Sequence, residues 1–191
     1  MISRRLLLTG ALSLAASTSM PFSPAIAHKR KRKPFKLAKR YHPTRVRFSG
    51  YQPGTIVVDA RNHFLYLIDS RNRALRYAVG VGKAGLTFRG TATISRKAKW
   101  PSWTPTANMI RKNPGKYARY AGGVPGGKNN PLGARALYLY DDGRDTLYRI
   151  HGTNEPWSIG KAVSSGCIRL FNQDIIDLYD RVQVGAEVVV L

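Results

Sequence analysis

From Thr55 onward the chain is cut into short β-branched and aromatic runs by turn-forming residues, and few folds suit that pattern. Thr55-Ile56-Val57-Val58-Asp59 and His63-Phe64-Leu65-Tyr66-Leu67-Ile68-Asp69 are two such runs. Between and after them stand Asp59-Ala60-Arg61-Asn62 and Asp69-Ser70-Arg71-Asn72, where Asx side chains can bond their own backbone and so turn the chain. Leu75, Tyr77 and Val79 then alternate with Ala74, Arg76 and Ala78, the period of a half-exposed strand. These runs predict a β-meander. Further strands are expected at 135–140, 146–151 and 187–191, with Asp141-Asp142-Gly143 turning between the first two. One helix reads over 172–182. Asn172 serves as its N-cap, Asp174 places negative charge in the first turn, and Ile175, Ile176, Leu178, Tyr179 and Val182 follow at helical spacing. The expected architecture is mostly β, a β-sandwich with a few short helices.

Residues 82–134 break the pattern. They are rich in Gly, Pro, Lys and Arg and show no clear period. So long a stretch inside a small domain is usually a functional loop, so a cap loop is expected, with a short helix near 105–113. Trp100 and Trp103 lie within it. They are either loop anchors or a wall of a substrate cleft.

The ends carry different signals. Arg4 and Arg5, an apolar stretch from Leu6 to Ala16, and Ala25-Ile26-Ala27 make residues 1–27 a signal peptide. Ser3-Arg4-Arg5-Leu6-Leu7-Leu8 is also similar to a twin-arginine export signal. The mature protein is thus expected in the periplasm. Residues 28–54 form a basic arm, with ten Lys and Arg and no acid between 28 and 50. Such self-repelling, apolar-poor sequence is expected to be disordered. The compact domain is expected at 55–191. The whole chain carries 32 basic against 10 acidic side chains, a net charge of +22, which favours an anionic partner. Export disfavours nucleic acid, leaving anionic envelope polymers or outer-membrane proteins as candidates for the arm.

Chemistry gathers at His151-Gly152-Thr153 and Ser164-Ser165-Gly166-Cys167-Ile168-Arg169-Leu170. His151 ends an expected strand. Cys167, the chain's one cysteine, follows sixteen residues later in a turn of small residues. A thiolate is a strong nucleophile, and an imidazole nearby can generate it. Consecutive N–H groups of Ser165, Gly166 and Cys167 can receive an oxyanion. Gly166 leaves room for close approach. Arg169 suits a carboxylate. Each residue alone has a plain alternative: a buried thiol, an ordinary histidine, a surface charge. No Cys/His cluster has metal-ligand spacing, so neither metal nor organic cofactor is expected.

Together these segments resemble the catalytic signature of the L,D-transpeptidase (YkuD-type) family, an HG-containing strand followed by an S-[HS]-G-C-[IV]-R-[LM] turn. The resemblance covers about residues 55–191 and includes Gly80-Val81-Gly82-Lys83 and Asn130-Pro131-Leu132-Gly133. It implies Cys167 as nucleophile, His151 as general base, the Gly152 carbonyl as the group orienting the imidazole, Gly166 and Cys167 as oxyanion donors, and Arg169 as the motif arginine. Ser165 stands where many members have a second histidine. The implied substrate is a peptidoglycan stem peptide. Cys167 would release D-alanine from a tetrapeptide and pass the acyl group to an amine in a 3–3 cross-link. A protein amine or water is an alternative acceptor, and a non-catalytic wall-binding module is a rival reading. Sensitivity to carbapenems is also implied.

Overall fold

The computed structural model describes residues 37–191 apart from 85 and 87. The expected signal peptide and the first part of the expected basic arm lie outside the described residues. Among the described residues there are eleven strands: β1 (Thr44–Arg47), β2 (Ile56–Asp59), β3 (Phe64–Ser70), β4 (Arg73–Ala78), β5 (Val81–Gly82), β6 (Gly90–Lys99), β7 (Arg135–Asp141), β8 (Arg144–His151), β9 (Ala162–Ser164), β10 (Ile168–Arg169) and β11 (Glu187–Val190). The helices are α1 (Ala107–Lys112), α2 (Pro114–Tyr117) and α3 (Asn172–Arg181), with short 3-10 turns elsewhere. The architecture is mostly β with a few short helices, as the patterning leads one to expect.

Nine strands form one sheet in the order β1-β4-β3-β2-β11-β6-β7-β8-β10, and β5 pairs with β9. The meander β2-β3-β4 forms as read, with Ile56 opposite Leu67 and Leu67 opposite Leu75. The last strand, β11, lies parallel to β2 and antiparallel to β6, so it joins the two halves of the sheet. One cluster then takes Ile56, Leu65 and Tyr77 from the first half, Ile94, Leu137 and Ile150 from the second, and Ile175 and Leu178 from α3. All eight side chains are fully buried, and such burial is the main source of stability. A second, smaller cluster of Val57, Ile68 and Ala74 is covered by Phe48, Tyr51 and Tyr66.

Three expectations need correction. The arm is not disordered over its second part. Residues 44–47 pair antiparallel with β4, Val46 opposite Ala74, and extend the sheet by one edge strand; edge strands commonly carry charge, which here hid the strand among arginines. The cap loop does not begin at 82. Gly90–Lys99 is a ten-residue strand in mid-sheet, with Ala92 and Ile94 buried. Its alternation was masked by Arg96, Lys97 and Lys99 in its second half, although Lys97 Nζ is satisfied by the carbonyls of Tyr179 and Val182 at 2.7 Å each. Finally, Asn172 does not cap α3. Phe171 holds the N-cap position without a side-chain cap bond. The side chain of Asn172 instead accepts from Ala134 N (3.0 Å) and Thr153 N (3.2 Å).

Candidate active site

His151 is the last residue of β8, and β10 runs parallel to β8 with Arg169 in register with His151. The parallel pairing requires a crossover, and residues 152–167 supply it. That crossover returns the chain so that Cys167 stands immediately before β10. The Ser164–Cys167 turn is self-bonded. Ser164 Oγ donates to the Cys167 carbonyl (2.6 Å) and accepts from Gly166 N (3.1 Å).

This turn changes the reading of Gly166. Its N–H is already engaged by Ser164, so it does not stand open as a donor. Its missing side chain makes room for protein rather than for substrate. A Cβ there would come within 2.7 Å of both Leu86 O and the Tyr148 ring, at a φ of +135°.

His151, Cys167, Ser165, Arg169 and Trp103 all line one cavity of about 250 Å³. Trp100 does not line it and is 45% exposed; the expected pair of tryptophans is therefore split. Trp103 is held at the cavity by a backbone bridge to Val124 and by edge contacts with Tyr117 and Tyr120. The cap that bears them contains α1 and α2 where one short helix was expected. Thr106 and Asn113 cap these helices through their side chains, and Pro114 opens α2. Asn130, fully buried, ties down the end of the cap by donating to the carbonyls of Val124 and Pro125 and accepting from Leu132 N.

The imidazole of His151 is buried, and its Nδ1 lies 2.5 Å from the Gly152 carbonyl oxygen. Burial, then the charge of Arg169, lower its pKa to about 3 against the bonds to backbone carbonyls. Burial likewise raises the Cys167 thiol, with a bond from the Arg149 backbone and the charges of Arg149 and Arg169 pulling the other way. For the buried imidazole, desolvation of the charged form outweighs the nearby partners, and it moves the half-buried thiol in the same neutral direction.

Arg169 Nη1 is paired with Glu155 Oε2 at 2.7 Å. Glu155 was not read from the sequence. It lies on the crossover four residues past His151, and only the fold brings it to Arg169. Lys116 and Arg119 of the cap also line the cavity. Among the described residues no three His, Cys, Asp or Glu side chains gather as a metal-holding set.

Residues 53–190 match the family model of the L,D-transpeptidase catalytic domain, YkuD. The chain belongs to the L,D-transpeptidase family. Among its relatives are two Escherichia coli K12 proteins. Probable L,D-transpeptidase ErfK/SrfK is 40% identical over 140 residues, and probable L,D-transpeptidase YbiS is 37% identical over 137. These matches take in 72% and 71% of this chain but only 44% and 43% of those proteins. Among solved structures, a Brucella melitensis protein described as a probable carnitine operon oxidoreductase is 52% identical, with a TM-score of 0.56, covering 81% of this chain and 96% of that one. An L,D-transpeptidase from Mycobacterium smegmatis shares the fold at 23% identity and a TM-score of 0.51, over 72% of this chain and 58% of that one. The motif that identifies an L,D-transpeptidase in this sequence thus sits on a domain of that family, at the strand end and turn described above.

Proposed function

We propose that this chain is an exported peptidoglycan L,D-transpeptidase acting through an acyl-enzyme on Cys167, in the periplasm and against the wall. The observation that carries the reading is the buried imidazole of His151. Its Nδ1 is turned to the Gly152 carbonyl, and it shares one cavity with the thiol and Arg169. A carbonyl can only accept, so Nδ1 keeps the proton and Nε2 offers a lone pair. In this reading Nε2 takes the thiol proton as Sγ attacks the carbonyl carbon of the stem's diamino acid. The tetrahedral intermediate collapses, the C–N bond to D-alanine breaks, and the imidazolium returns its proton to the leaving amine. A second stem's amine then attacks the thioester, giving a 3–3 cross-link and restoring the thiol. Transfer to an envelope protein amine or to water would use the same acyl-enzyme.

The Gly152 carbonyl serves as the orienting group. With Gly166 N–H engaged, the N–H of Cys167 is the oxyanion donor in this scheme. Lys116 and Arg119 make the cavity attractive to stem carboxylates, while Arg169 is already paired with Glu155. The basic arm would add adhesion to anionic envelope polymers.

The test is turnover of a disaccharide-tetrapeptide followed by chromatography. The reading expects D-alanine release with dimeric product, and neither from Cys167→Ala. Equal release by that variant would remove Cys167 from the reaction.

A further inference from the structure

β8 is irregular just before it reaches His151. Its register with β7 shifts between Tyr138 and Tyr140, and Leu147 sits at a φ of +63°. A bulky residue rarely occupies that region, because its Cβ crowds the following carbonyl. Several side chains hold it there. Asp145 Oδ1 accepts from Leu147 N (2.8 Å), and the same carboxylate takes both terminal nitrogens of Arg149 at 2.7 and 2.8 Å. Thr146 Oγ1 accepts from Tyr148 N (3.1 Å) and donates to the Leu139 carbonyl (2.6 Å).

Packing does not offset the strain, since Leu147 is 64% exposed. Asn or Gly would fit this backbone at lower cost. Bulges next to active sites often re-aim a side chain, and Leu147 is so placed. Cys167 opens onto a second cavity of about 370 Å³, lined by Leu147, Arg149, Arg96 and Tyr138. The Leu147 carbonyl is 3.9 Å from Cys167 Sγ. Arg96 is stacked on Tyr138, its guanidinium carbon 3.4 Å from the ring centre. The opening therefore combines one exposed aliphatic side chain with the cation of Arg96, Arg149 being paired with Asp145.

We propose that Leu147 is a specificity-determining residue, whose side chain contacts the aliphatic part of the carboxylate-bearing peptide that enters this second opening onto Cys167. Asp145 is the positioning residue that holds Leu147 in its left-handed conformation. The inference rests on the acyl-transfer reading above and adds a substrate contact to it.

The experiment compares wild type with Leu147→Asn in disaccharide-tetrapeptide turnover and in thermal unfolding. Asn tolerates the backbone conformation, so the fold should be at least as stable as wild type. KM should rise roughly tenfold, the scale of losing a small apolar contact, with a smaller effect on kcat. Leu147→Gly gives the same readout should the first variant fail to fold. Asp145→Asn, which loosens the bidentate pair, should raise the same KM. Wild-type KM in a stable Leu147→Asn enzyme would overturn this inference alone. No D-alanine release by wild type would overturn the acyl-transfer reading and this inference with it.

Discussion

His151 Nδ1 and the carbonyl oxygen of Gly152 lie 2.5 Å apart, so the residue after the histidine gives Nδ1 an acceptor and favours the tautomer protonated there. In the proposed reaction this backbone carbonyl takes the role an Asp plays in a serine triad. Because burial and Arg169 bring the ring from 6.5 to about 3, it stays neutral in mildly acid solution. An unfolded chain binds a proton at this histidine below 6.5, and the folded one does not until about 3. Stability from this group therefore falls as pH drops through that window. Imidazole NMR of the Cys167→Ala protein should show His151 not titrating between about pH 7 and pH 4. A midpoint near the ordinary histidine value would contradict the buried neutral base.

Asp174 works in the opposite sense. It is 2% exposed, its Oδ2 has no partner among the described residues, and burial raises its pKa from 3.8 to about 6. A raised folded pKa contributes stability below 3.8 that is lost as pH rises through about 6. Asp174→Asn should therefore stabilise the protein at neutral pH by about 1–3 kcal/mol. In denaturant titrations the gain should shrink toward zero near pH 4. A gain independent of pH would mean that the carboxylate is not the cause.

Asn172 fastens α3 to the strand ends on which the site is built. Its Oδ1 takes the N–H groups of Ala134 and Thr153, both buried residues. A Cβ at either Gly133 or Gly152 would fall 2.2 Å from that oxygen, which accounts for glycine at both places. Asn172→Ala should cost about 1–3 kcal/mol, the scale of leaving buried donors unpaired. Asn172→Asp keeps the acceptor and should lose less. Equal losses in equilibrium unfolding would show that the two bonds do not matter.

The two tryptophans of the cap should separate in kinetics. Trp103 lines the cavity and touches Tyr117 and Tyr120, whereas Trp100 lines neither opening onto Cys167. Trp103→Ala should lower kcat/KM for the tetrapeptide by about tenfold or more, as loss of a large cavity wall does. Trp100→Ala should have a much smaller effect. The reverse order would place the substrate elsewhere on the cap.

Much of this arrangement is legible in the residues. β2, β3, β4, β7, β8 and β11 announce themselves through alternation and turn chemistry, and the Asp142-Gly143 turn appears with positive φ at both residues. The candidate catalytic segment is legible because its chemistry is local: a thiol in a small-residue turn and a histidine at a strand end. What depends on tertiary register is not legible. β6 forms because β11 and β7 flank it, although its second half carries three cations. β1 needs β4 beside it. The Glu155–Arg169 pair, the Asp145–Arg149 clamp and the strain at Leu147 follow from how the crossover and the β8 bulge settle in space. No sequence period encodes them.

The proposed role of Cys167 as a nucleophile served by His151 requires a covalent acyl-enzyme at that thiol. Its most direct test is intact-protein mass spectrometry after exposure to a carbapenem, with Cys167→Ala and His151→Ala alongside. The expected result is one covalent adduct on the wild type, none on Cys167→Ala, and a much slower adduct on His151→Ala. An adduct that persists on Cys167→Ala, or none on the wild type, would contradict it.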